Sequence, residues 1–282
     1  MVAREIGKAS YIERSNNTLG QIVSSLVRKT LSVSKSLDNH TGATWYFLHL
    51  SPPQITVCLA LSLLAMLNLK NLSYHPPATP QPILQKIDLE LKRQELGVIV
   101  GRSGSGKSTL LEILAGLAER TGGAIYWKNQ EIISLHLQQL AGLVFQFPER
   151  HFCGSNILEE LRLGHPELGS EDVLEALQEV GLAHLSLSTS PHDLSGGQQR
   201  RLALAVQLIR KPNILMLDEP TAGLDWSMRI NLAQLLAKLK EHWTLLVVTH
   251  DPGELAKIAD RCWTIQDGRI NAIAPEKLYE KG

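Results

Sequence analysis

Gly101-Arg102-Ser103-Gly104-Ser105-Gly106-Lys107-Ser108-Thr109 follows the apolar run Gly97-Val98-Ile99-Val100 and opens onto a second apolar stretch, Leu110 to Leu117. A buried strand, a glycine-rich loop and a helix are the setting in which the pattern G-x-x-x-x-G-K-[ST] binds phosphate. The glycines let the backbone turn tightly and aim its N–H groups inward, so loop and helix N-terminus form an anion cradle. In such a cradle Lys107 reaches the β- and γ-phosphates of a nucleotide, and the Ser108 hydroxyl ligates Mg2+.

Working outward, the runs Gly142-Leu143-Val144-Phe145, Ile214-Leu215-Met216-Leu217 and Thr244-Leu245-Leu246-Val247-Val248 are strand-length and lack alternation. That pattern predicts strands buried on both faces of a mostly parallel sheet. Helical patterns lie between them, including Glu171 to Val180 and Gln198 to Ile209. The Ile214 strand ends in Asp218-Glu219, and ligands of a parallel sheet gather at the carboxyl ends of its strands. Asp218 is then placed to hold Mg2+ through its water shell, and Glu219 to orient and polarise an attacking water.

The bulk properties narrow the function classes. The 282 residues carry 28 Lys or Arg against 28 Asp or Glu, so there is no global electrostatic footprint for nucleic acid. Cys58, Cys153 and Cys262 form neither a C-x-x-C pair nor a disulfide framework, and a reducing compartment is the simplest setting.

Residues 1–65 read differently from the rest, with six Lys or Arg, three Asp or Glu and no convincing helical or strand period. The apolar run from Ile55 to Leu67 falls short of the roughly 20 residues a membrane-spanning helix needs. Three readings stand for this segment: a disordered extension, an upstream start, or an organellar targeting sequence. From Met66 onward, Leu67-Asn68-Leu69-Lys70-Asn71-Leu72-Ser73-Tyr74 alternates apolar and polar residues and predicts a first strand. The domain is therefore expected over 66–282.

His192-Asp193-Leu194-Ser195-Gly196-Gly197-Gln198-Gln199-Arg200-Arg201 precedes a helix and is by itself another glycine-rich anion nest. With the phosphate loop, the strand ending Asp218-Glu219-Pro220, Gly223-Leu224-Asp225 and Thr249-His250, it resembles the ABC (ATP-binding cassette) ATPase family over all of 66–282. The resemblance implies an α/β phosphate-loop NTPase with a mostly parallel core sheet, an antiparallel β subdomain and a small helical subdomain over about 147–193.

In that family two cassettes pair head to tail, each ATP lying between the phosphate loop of one and the signature of the other. Carried onto matching positions, the loop residues Gly101, Ser103, Gly104, Ser105, Gly106, Lys107, Ser108 and Thr109 hold ATP. Ser195, Gly196, Gly197 and Gln198 meet the partner's nucleotide, and Asp225 couples the two sites. Gln146 senses Mg2+ and the attacking water, His250 contacts the γ-phosphate, and Tyr74 stacks on adenine.

The string Val144-Phe145-Gln146-Phe147-Pro148-Glu149, with Ile157-Leu158-Glu159-Glu160-Leu161, looks like the ATPases of energy-coupling-factor importers for vitamins and for cobalt or nickel. The resemblance implies transmembrane permease subunits on other chains and a peripheral position on the cytoplasmic face of a membrane. For a targeting sequence over 1–65 it becomes the stromal or matrix side. A soluble ABC ATPase of the iron–sulfur assembly type is the alternative class.

Overall fold

In the computed structural model residues 65–77 and 79–279 are described, and from Ala65 the chain alternates strands with helices. Its elements begin β1 (Ala65–Tyr74), β2 (Leu84–Lys92), β3 (Leu96–Val100), α1 (Lys107–Leu114), β4 (Gly122–Trp127) and β5 (Gln130–Glu131). Next come α2 (Ser134–Leu140), β6 (Ala141–Val144), α3 (Ile157–Leu161), α4 (Ser170–Glu179) and α5 (Gly196–Leu208). The remainder is β7 (Ile214–Asp218), α6 (Trp226–Leu239), β8 (Thr244–Thr249), α7 (Gly253–Ile258), β9 (Arg261–Gln266), β10 (Arg269–Ile273) and α8 (Glu276–Tyr279). The first strand takes in Ala65, one position before the expected domain start; the reading of the preceding segment lies outside the described residues.

The core sheet has the order β10-β9-β3-β8-β7-β6, parallel throughout except for the β10 edge. β7 and β8 are buried at every position, as unalternating apolar runs require when both faces are covered. The two faces can be read residue by residue, because successive side chains point to opposite sides. Leu215, Leu217, Leu245 and Val247 join Leu202, Leu208, Leu232 and Leu236 of α5 and α6 in one core cluster. Ile214, Met216, Leu246 and Val248 join Leu110, Leu111 and Leu114 of α1 and the strands β1 and β2 in the other.

The second sheet, β2-β1-β4-β5, is antiparallel. The alternation expected from Leu67 to Tyr74 holds only up to Leu69. Leu67, Leu69 and Leu72 are the buried residues, and the register slips between Leu69 and Leu72, where Asn71 turns left-handed at φ 50°. This is a β-bulge, which absorbs one residue and returns the next leucine to the core. Gly123 opposite it is required: a Cβ there would come within 2.3 Å of the Asn71 carbonyl oxygen.

The segment expected as a helical subdomain contains α3, α4 and 3-10 turns at Pro148–His151 and Pro191–Asp193. Ile157, Leu161, Val173 and Leu177 bury into the cluster that also holds α5, so this part shares the main core. Among the described residues, no helix is long and apolar enough to cross a membrane.

Candidate functional site

The parallel register aligns the carboxyl ends of three neighbouring strands. Val100 lies opposite Thr249 and Asp218 opposite Val248, so Gly101, Glu219 and His250 leave the sheet along one edge. Backbone bonds hold them there, from Gly101 N–H to the Thr249 carbonyl at 3.1 Å and from Glu219 N–H to the Val248 carbonyl at 2.9 Å. At Gly106, φ is 100° and a Cβ would approach Leu84 Cδ2 to 2.8 Å. Only glycine fits, and the turn it makes starts α1 at Lys107 rather than at the apolar stretch from Leu110.

Lys107 is only 6% exposed. Its Nζ donates to the carbonyls of Gly101 at 2.8 Å and Arg102 at 3.1 Å, and lies 3.3 Å from Glu219 Oε1. Glu219, 7% exposed, adopts φ 46°, a left-handed conformation that costs a non-glycine residue about 1 to 2 kcal/mol. Its other oxygen, Oε2, accepts from the Thr249 hydroxyl at 2.9 Å and the His250 N–H at 3.1 Å, and lies 2.8 Å from His250 Nδ1. The carboxylate is thereby aimed at the phosphate loop from two sides.

Asp218 is equally buried, and its Oδ1 has no hydrogen-bonding partner. Burial raises its carboxyl pKa above the ordinary value, opposed by a hydrogen bond from Ser108, and the neighbouring Glu219 charge raises it further. Ser105 Oγ is likewise buried and unpartnered. An orphaned carboxylate oxygen beside a serine hydroxyl, at the foot of an anion cradle, fits a cation carried with a phosphate group.

The remaining expected residues occupy distinct places. Ser195 caps α5: it accepts from Gln198 N–H at 3.4 Å, and its own N–H donates to Gln198 Oε1 at 2.9 Å, a capping box. Gly196 has nothing within 4 Å of a built Cβ, and Gly197 only Met228 Sδ at 4.0 Å, so packing within this chain does not demand either glycine. Asp225 caps α6, and hydrogen bonds from Met228 N–H and the Ser227 hydroxyl hold its carboxyl below the usual range. Gln146 is exposed just after β6, and Ser103 is exposed in the loop. Thr109 lies half-buried in the first turn of α1. Tyr74 is half-buried against the core; it pairs with Leu84, whose side chain lies against Gly106.

Sequence reasoning missed three contributors. Thr249 holds Glu219 through its hydroxyl, and its place beside His250 was the available signal. Arg229 joins the Asp225 loop to the His250 loop, its Nε donating to the Leu224 carbonyl at 3.0 Å and its Nη1 to Asp251 Oδ2 at 2.5 Å. Arg200, in the signature helix, is 7% exposed and bonds to carbonyls of Pro220 and Ala222.

Residues 84–222 match the family described as ABC transporter. The chain is 41% identical over 220 residues to ABC transporter I family member 11, chloroplastic, of Arabidopsis thaliana, covering 72% of this chain and 79% of that protein. It is 37% identical over 221 residues to the energy-coupling factor transporter ATP-binding protein EcfA2 of Streptococcus sanguinis, with 72% and 79% covered. Among solved structures it is similar to cbiO1 of Clostridium perfringens, part of the ABC transporter complex cbiONQ. That match has a TM-score of 0.71 at 28% identity, over 77% of this chain and 92% of that one.

Proposed function

Because the chain belongs to the ABC transporter family of ATP-binding subunits, whose members hydrolyse ATP, we propose that it powers an importer whose membrane path lies in other chains. The observation that carries the chemistry is Glu219, buried, aimed at the phosphate loop and shared between Lys107, Thr249 and His250.

ATP lies with its phosphates over residues 101–109, drawing Lys107 away from the Gly101 and Arg102 carbonyls and from Glu219. That movement frees Glu219 Oε1 to accept a proton from the attacking water. Thr249 and His250 keep hold of Oε2, so the carboxylate stays oriented as its cationic neighbour leaves. Asp218 and the Ser108 hydroxyl are the residues that would hold Mg2+, and so sparse a protein donor set suits an ion that keeps several waters. Bound there, Mg2+ supplies charge neutralisation across the phosphates. Gln146 reports on the same water, and Tyr74 receives the adenine.

The open Gly196-Gly197 surface is the reason to place a second cassette, identical or related, against Ser195–Gln198. Trp226, 65% exposed directly after Asp225, offers that partner an apolar contact. The string Val144–Glu149 and the relative EcfA2 both support the energy-coupling type of importer. The chloroplastic relative supports a stromal membrane face for the stretch before Ala65 as a targeting segment. Affinity purification of the full chain from detergent-solubilised membranes tests this reading. Integral membrane subunits and a cassette partner are expected to co-purify; recovery in the soluble fraction with iron–sulfur assembly proteins would contradict it.

A further inference from the structure

At the amino ends of β6 and β7 lies a cleft of about 420 Å3, within the range of roughly 300 to 1,000 Å3 typical of small-molecule sites. It is remote from the nucleotide. β7 runs from Ile214 to Asp218, so at about 3.3 Å per residue its two ends stand about 13 Å apart. The walls come from α2 at Gln139, the start of β6 at Gly142, the α3–α4 connection at Leu168, α4 at Asp172, and the end of α5 at Gln207 and Arg210. None of these residues belongs to the site at the strands' carboxyl ends.

Two features set this cleft apart from an ordinary surface groove. Lys211, just past the end of α5, is left-handed at φ 50° and stands directly before Pro212. Glycine fills a left-handed position at less cost, and a following proline narrows the allowed backbone further. The strained position nevertheless carries an ammonium, which lies 3.6 Å from Asp172 Oδ1 and 3.2 Å from Glu175 Oε2 of α4. Strain kept for the sake of a side chain points to a use for that side chain. The second feature is Arg210 beside it. Among the described residues its guanidinium has no ion-pair or hydrogen-bond partner, and neither do the amides of Gln139 and Gln207. Gly142 seats Gln207 there, since a Cβ on it would press against the Gln207 side chain at 3.3 Å.

The lining also indicates the kind of ligand. Arg210 and Lys211 are offset by Glu167 and Asp172, so a singly charged anion suits the cleft better than a dianion. Leu168, Ile209 and Pro212 add an apolar wall. Exposed ion pairs such as Lys211 with Asp172 are weak, which lets the ammonium be shared with a ligand. We propose that this cleft binds a small organic monocarboxylate, its oxygens on the Arg210 fork and the Lys211 ammonium and its apolar body against Leu168 and Ile209. A guanidinium takes a carboxylate bidentately, which fixes direction as well as affinity. The chain thereby has a second ligand site, independent of the function proposed above.

Hexanoate is the probe, titrated into the full chain and followed by saturation-transfer NMR with and without saturating ATP. Saturable binding with a Kd below about 5 mM is expected, unchanged by ATP and not displaced by an equal concentration of inorganic phosphate. Arg210→Gln is expected to weaken it at least about fivefold while ATP affinity stays within about twofold. Lys211→Gln, expected to weaken it at least about threefold, serves if Arg210→Gln does not fold. Weaker binding by the unaltered chain, a smaller loss in the folded variant, competition by ATP or displacement by phosphate would overturn the inference. An unaltered chain that binds hexanoate but no ATP would overturn the proposed function and leave this site standing.

Discussion

Glu219→Gln is expected to abolish turnover and leave ATP bound. Glutamine has the shape of glutamate, so its oxygen still accepts from the Thr249 hydroxyl and the His250 N–H that now hold Oε2. What would disappear is the oxygen proposed to take the proton of the attacking water, together with the ion pair to Lys107. Loss of a positioned general base costs roughly two to four orders of magnitude in rate. Release of Lys107 from its carboxylate partner should leave ATP affinity unchanged or tighter. The variant is therefore expected to accumulate as an ATP-bound pair of cassettes, visible as a doubled mass in size-exclusion chromatography with light scattering. Phosphate release at the native rate would remove Glu219 from the catalytic role.

Lys107→Ala acts on the other side of the same pair. Charge-assisted hydrogen bonds are worth about 1.5 to 3 kcal/mol each, and a lysine spanning two phosphates makes more than one. A fall in ATP affinity of at least about a hundredfold follows, measured by titration of the folded variant with labelled nucleotide. Stability should fall too, because Glu219 then stays buried with only Thr249 and His250 as partners. Native ATP affinity in this variant would mean that residues 101–109 do not hold the phosphates.

The central sheet was legible because parallel strands covered on both faces appear in the sequence as unbroken apolar runs. β7 and β8 are such runs, and each delivers its polar end, Asp218-Glu219 or Thr249-His250, to the same edge. The phosphate loop was legible because its glycines are required by backbone geometry, as at Gly106. The bulge in β1 was not, because Lys70 and Asn71 are both polar and either can leave the alternation; the opposing Gly123 decides it from 52 positions away.

Arg200 was hidden for a related reason. Gln198-Gln199-Arg200-Arg201 reads as a polar helix start, and its second arginine differs from the first only in partners distant along the chain. Arg201 donates to the Val180 carbonyl at 3.2 Å, whereas Arg200 is enclosed by Glu149, Pro220 and Ala222. Long-range closure of this kind leaves no local periodicity to read.

The central claim is that the chain's own signature serves an ATP other than its own. Ser195→Arg in the Glu219→Gln background tests it most directly, since the described hydrogen bonds of Ser195 stay within its own helix cap. Losing that cap costs about 1 kcal/mol of helix stability and leaves residues 101–109 untouched. ATP affinity is measured at a protein concentration too low for pairing, and ATP-driven assembly at a high one. Affinity within about twofold of the parent, with assembly lost, is the predicted result. A fall in affinity of tenfold or more in the unpaired chain would place Ser195 on the chain's own nucleotide and contradict the shared site.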